Sequence, residues 1–275
     1  MLDLDLQREG VPPKDAATLV LLRNAARGFE VFCVERSKRS RFLGGAIVFP
    51  GGKVDPEDGA DAWVPLTTVP DDPALRAHAI AACRESLEEA AILPVAGGRL
   101  ADADLQALRV RHAEGPAVLR TFLAERGLTL DLGALRVLSR WITPIAEARR
   151  YDTRFFVAIA PPGQSGAHDE TETTASFWAR PEDVLRRFEA GEVQLAPPTH
   201  RTLDILSRAG RAEDVLEIAA RACLDPICPR LVPQGDTLAL VLPGDPEHEV
   251  RERRIDGSTR YVRRGERWLS EDAPA

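Results

Sequence analysis

Nine consecutive residues, Arg84-Glu85-Ser86-Leu87-Glu88-Glu89-Ala90-Ala91-Ile92, constrain this chain more than any other stretch. At about 100° per residue, a helix places Glu85, Glu88 and Glu89 on one face, within about a third of its circumference. Ile80, Cys83, Leu87, Ala90 and Ala91 fall on the opposite, core-facing side. Three carboxylates side by side repel one another. Such a face is either solvated or neutralised by a divalent cation. The glycine pair of the upstream Phe49-Pro50-Gly51-Gly52 permits a tight turn and a close backbone approach to a ligand. Taken together, these features favour the cation.

The rest of the chain frames this helix. At 275 residues it buries a core, as one elaborated domain or two small ones. A net charge of -7 argues against a general nucleic-acid binder, although it permits a local basic patch. No apolar run approaches a membrane span, and Met1-Leu2-Asp3-Leu4-Asp5 lacks a basic n-region. Cys33, Cys83, Cys223 and Cys228 show no CxxC spacing, so reduced thiols in a cytoplasmic protein are expected.

Strands are expected at Thr18–Leu22 and Glu30–Glu35 around an Asn24–Gly28 turn, and at Ala46–Phe49. Residues 51–73 read as irregular. Asp72 and Pro73 then start a helix running to about Leu93. Asp102–His112 and Pro116–Arg126 read as two further helices. Strands follow at Leu135–Ile142, Thr153–Ala160 and Ala175–Ala179, and helices at Pro181–Ala190, Thr199–Ala209 and Ala212–Ala222. Strands return at Thr237–Leu242, then at Val250–Ile255 and Thr259–Val262 about Asp256-Gly257. This mixture suits an α/β sandwich.

The glycine–glutamate pattern resembles the Nudix hydrolase box, Gly-x5-Glu-x7-Arg-Glu-U-x-Glu-Glu-x-Gly-U, where U is a bulky aliphatic. Gly52 fits the first glycine and Asp58 the first acidic slot, as Asp rather than Glu. Twenty-five residues, not seven, separate Asp58 from Arg84. An insertion placed earlier would instead put the slot on Arg76. Arg84, Glu85, Glu88, Glu89 and Ile92 match the second half. Ser86 replaces the aliphatic on the shoulder of the helix, and Ala91 replaces the last glycine.

The resemblance implies a Nudix fold, a mixed β-sheet sandwiched between α-helices, with helical insertions and a C-terminal β extension. It assigns 1–210 to the hydrolase domain, with an insertion in the box at about 59–73 and a helical excursion at about 95–130. Residues 211–275 form an appendage. It also implies Mg²⁺ or Mn²⁺ held by Glu85, Glu88, Glu89 and a carbonyl near Gly51, with Glu89 also placed to take a proton from water. Arg84 would be structural, pairing with Glu88 or Asp58. Glu170 and Glu172, in a later loop with His168, are alternative bases, or else part of a polar surface.

Arg36-Ser37-x3-Arg41-x3-Gly45-x3-Phe49-Pro50-Gly51-Gly52 resembles the signature of coenzyme A diphosphatases, without its leading Leu-Leu-Thr. Arg36 and Arg41 would hold a phosphate bidentately, beside Gly52, or else brace the loop. The interrupted box, Arg150-Tyr151-Asp152-Thr153-Arg154 and Leu195-Ala196-Pro197-Pro198-Thr199 resemble the acyl-CoA diphosphatase subgroup, which adds Arg150 and Tyr151 as substrate contacts. Pro197-Pro198-Thr199 itself reads only as a helix start. The implied substrate is a CoA-like nucleotide diphosphate. ADP-ribose, NADH and a nucleotide sensor without turnover remain as alternatives. A homodimer is compatible with the family. The arginines of residues 251–267 read as a solvated β surface or a phosphate or RNA contact.

Overall fold

The computed structural model describes residues 4–37, 45–70, 72–167 and 173–273. Two long strands come first, β1 (Lys14–Asn24) and β2 (Phe29–Arg36), joined by a turn that needs the left-handed Gly28. Short strands β3 (Ala46–Val48) and β4 (Gly51–Lys53) follow. Three 3-10 segments span residues 56–75 and lead into α1 (Arg76–Ala90). A two-stranded ribbon, β5 (Val95–Ala96) and β6 (Thr129–Leu130), brackets α2 (Asp102–His112) and α3 (Ala117–Arg126). Next are β7 (Arg136–Ile142), β8 (Tyr151–Ile159) and β9 (Thr173–Ala179), then α4 (Pro181–Glu189), β10 (Gln194–Leu195), α5 (Pro197–Leu206) and α6 (Ala212–Ala220). The chain closes with β11 (Arg230–Gln234), β12 (Thr237–Val241), β13 (Arg260–Arg264) and β14 (Arg267–Glu271).

The main sheet runs β10-β3-β2-β1-β8-β7 and is mixed, with β1 parallel to β8 and antiparallel to β2. β1 divides its other edge. Residues 16–18 pair with β4, and residues 22–24 pair with β2. Strand alternation then sends successive residues to two cores. Ala17, Leu19 and Leu21 join Phe156 and Ala158 against α1, α2 and α3. Val20 and Leu22 join Phe155 and Val157 against α4, α5, α6 and the C-terminal strands. The sheet is therefore covered on both faces.

The final segment is not detached from this body. Ile227 bridges to β7, with its N–H donating to Arg140 O at 2.8 Å and its carbonyl accepting from Ile142 N at 2.9 Å. Val215, Ala219, Leu231, Leu240 and Tyr261 share the second core. The four-stranded sheet β11-β12-β13-β14 differs from the expected pattern. Residues 250–255 form no strand, and the hairpin turns at Gly265 rather than at Asp256-Gly257. β11 carries no strand signal in the sequence because Pro233 interrupts it, which its edge position tolerates. The arginines here are not uniformly solvated. Arg260 is buried and donates to both carboxylate oxygens of buried Asp245, at 3.0 and 2.7 Å.

α1 stops at Ala90, short of the expected Leu93. Ala91 adopts φ 50 as a left-handed cap, with its N–H donating to Leu87 O at 3.0 Å. This is where the resembled motif has glycine, the residue such a cap favours. Ser86 is fully buried rather than on a shoulder, and its hydroxyl donates to Ile92 O at 2.8 Å. A small polar residue is accepted there because the helix end supplies its acceptor.

Ala91 packs in the first core at 2% exposure. Replacement by glycine relieves left-handed strain of about 1–2 kcal/mol but removes a methyl group worth about 0.8 kcal/mol. Ala91→Gly is therefore expected to stay within about 1 kcal/mol of the parent in urea unfolding. Ala91→Val adds a β-branched side chain at positive φ and is expected to lose about 2 kcal/mol or more.

Candidate active site

One buried cation organises the acidic face of α1. Arg84 is 7% exposed and Asp58 is 2% exposed. The Arg84 guanidinium donates through Nε and Nη2 to the two oxygens of Asp58, at 3.1 and 3.0 Å. Nη2 also donates to Lys53 O at 2.8 Å, and Nη1 donates to Glu85 Oε1 at 2.9 Å and Glu88 Oε1 at 3.1 Å. Asp58 further accepts from Asp55 N at 2.8 Å, which fixes the 3-10 turn that carries it. The insertion is thereby looped out, and Asp58 meets Arg84 across it. Arg76, the alternative slot, lies near Asp61 at 3.6 Å.

The glutamates approach the Gly51-Gly52 strand from α1. Glu89 Oε2 accepts from Gly51 N at 3.0 Å. The Glu85 carboxylate lies against Gly52, where any Cβ would collide with it. Burial pushes the Glu85 carboxyl up to about 7; Arg84 opposes that rise, and Glu88 and Asp58 add to it. Burial also acts on Glu88, but hydrogen bonds from His112 and Arg84 outweigh it and hold that group below the usual carboxylate range. His112 Nε2 donates to Glu88 Oε1 at 3.0 Å. It comes from α2, in the helical excursion, and no local pattern ties it to the acidic helix.

Gly51 also opens onto a pocket of about 200 Å³ on the opposite face of the sheet. Arg36, Phe49, Trp141, Tyr151 and Phe155 line it, and Pro229 and Leu240 of the C-terminal extension close one wall. Ala196, Pro197, Pro198 and Thr199 contribute another side, so the segment read only as a helix start is also a wall. Arg150 is not among the lining residues. Its guanidinium donates to Thr143 O at 3.0 Å and Val11 O at 2.6 Å, so it braces two loops. Arg41, Glu170, Glu172 and His168 lie outside the described residues.

Residues 65–206 match the family model described as the NUDT19 Nudix domain. The chain belongs to the Nudix hydrolase family. It is 30% identical to the chicken (Gallus gallus) acyl-coenzyme A diphosphatase NUDT19, over 79% of this chain and 72% of that protein. The human protein of the same name is 26% identical, over 80% and 72% respectively. A Nudix hydrolase from Alicyclobacillus acidocaldarius superposes with TM-score 0.67 at 32% identity, covering 75% of this chain and 96% of that one.

Nudix hydrolases generally use divalent metal ions, and the side chains here suit one. The donors beside Gly51 are oxygen-only, as hard cations prefer. Among the described residues no three acidic, histidine or cysteine side chains converge into a closed cage, and Glu88 Oε1 is held by Arg84 and His112. A cation that keeps several waters and shares substrate phosphates needs only one or two carboxylates. Glu85, whose burial disfavours its charge, is a group such an ion would keep ionised.

The raised Glu85 carboxyl couples folding stability to pH. The unfolded chain releases this proton near 4.5, while the fold retains it to about 7. Metal-free protein should therefore lose stability as pH climbs from about 4.5 to about 7. Chemical denaturation in chelator across that window tests this. Glu85→Gln is expected to flatten the slope, and added Mg²⁺ is expected to stabilise the parent more at pH 8 than at pH 5.

Proposed function

We propose that this Nudix hydrolase cleaves the diphosphate of CoA or acyl-CoA. Water adds to one phosphorus as the bridging P–O bond breaks, giving adenosine 3′,5′-bisphosphate and phosphopantetheine or its acyl derivative. The single observation that carries this reading is the likeness, over most of the chain, to relatives named acyl-coenzyme A diphosphatase. The Arg36-Ser37 to Phe49-Pro50-Gly51-Gly52 signature supports it independently.

Glu85, Glu89 and the Gly51 carbonyl would hold Mg²⁺ or Mn²⁺, with Glu88 on the same face. When bound, the ion supplies charge neutralisation of the diphosphate and acidifies water. The side chains do the rest. Glu89, aligned by the Gly51 N–H, is suited to accept a proton from water. Arg84 and Asp58 hold α1 against β4, so that the carboxylates meet the substrate already oriented. Arg36 and Tyr151 in the pocket wall are suited to the substrate beyond the diphosphate, and Arg41 is assigned the same role from its place in the signature alone.

Purified protein with Mg²⁺ or Mn²⁺ is expected to convert CoA to the bisphosphate, read by mass. Dephospho-CoA should be poorer by about tenfold or more, as loss of one charge-assisted contact implies. Glu89→Gln should lower kcat by about 10²- to 10⁴-fold. Faster turnover of ADP-ribose or NADH than of CoA would keep the mechanism and remove this substrate.

A further inference from the structure

The pocket behind Gly51 combines features that no single element of the chain explains. Its walls hold four aromatic side chains, Phe49, Trp141, Tyr151 and Phe155. Among the described residues Arg36 is the one arginine or lysine that lines it, and its Nε is buried with no acceptor among them. Trp141 is 3% exposed, and its indole N–H likewise finds no acceptor among those residues. A buried donor without a partner is costly, and two such donors on residues that line one pocket point to a ligand that supplies the acceptors. Aromatic walls suit a planar ring by stacking. A guanidinium suits an anion and is out of place beside a hydrocarbon chain.

We infer that this pocket, completed by Pro229 and Leu240 of the C-terminal extension, receives the phosphorylated purine nucleoside end of the substrate rather than its acyl-pantetheine arm. The inference rests on the CoA reading for the molecule but not for the chemistry of the slot. The base stacks among the rings and accepts from the Trp141 N–H, and its ribose phosphate accepts from Arg36. Gly51, shared between the pocket and the Glu89 contact, sets the diphosphate at the junction of the two. The C-terminal extension is then a specificity element: residues from a different sheet shape the slot, and the acyl arm leads away from it.

Two measurements test this. In ¹⁵N-labelled protein, the Trp141 indole signal, assigned by its loss in Trp141→Phe, should shift with adenosine 3′,5′-bisphosphate and not with phosphopantetheine. Leu240→Phe, which narrows the slot, should raise KM for CoA and for every acyl-CoA by a common factor of about fivefold or more, leaving kcat little changed. A shift with phosphopantetheine, no shift with either half, or a Leu240→Phe effect that grows with acyl-chain length would overturn the assignment. Protein that binds the bisphosphate at Trp141 yet hydrolyses no CoA would uphold the slot and overturn the hydrolase reading instead.

Discussion

A guanidinium with 7% exposure cannot stand alone in a protein interior, and the partners Arg84 recruits determine the active-site end of this fold. Burial works against its charge, yet its bond to Asp58 and the nearby Glu85 and Glu88 raise its hold on the proton. One planar fork thus ties α1, the carbonyl of Lys53 on β4 and the 3-10 turn at Asp58. Lysine has the charge but not the fork. It could not satisfy both oxygens of Asp58 while reaching the backbone and two glutamates. The long insertion is tolerated because it leaves this junction untouched.

The glycine pair is the second constraint, and it acts through what is missing. A side chain at Gly51 would strike the backbone of β1, and one at Gly52 would strike Glu85. Without them, β4 fits between β1 and α1, and Gly51 presents its amide to Glu89 while lining the pocket on the other face. Acidic chemistry and an aromatic slot are therefore separated by one strand.

Two regions without a local signature each deliver one decisive contact. The helical excursion brings His112 to Glu88, and the C-terminal extension brings Leu240 and Pro229 to the pocket. Both regions are anchored by apolar packing: Leu105, Leu108 and Leu123 in one core, Leu231 and Tyr261 in the other. Elaborations of this kind alter a site without altering its carboxylate helix.

The sequence by itself determined what depends on neighbours along the chain. Helical period put Glu85, Glu88 and Glu89 on one face, and alternation marked β1, β2, β7 and β8. Glycine at 51 and 52 announced a close approach, and the glycines flanking residues 102–112 bounded α2 at its observed span. It also offered Asp58 and Glu88 as partners for Arg84, and the structure holds both. It misplaced the last hairpin, because residues 250–255 find no partner edge, whereas β11 finds one despite Pro233. It put α1 three residues too long, since nothing local shows that Ala91 turns left-handed to let Ser86 bond Ile92. Only the tertiary structure decided that Arg150 braces loops, that Arg260 is buried, and that residues over 150 positions apart share one pocket wall. Such contacts are set by which strand edges and apolar faces meet, a property of packing in space that no periodicity along the chain records.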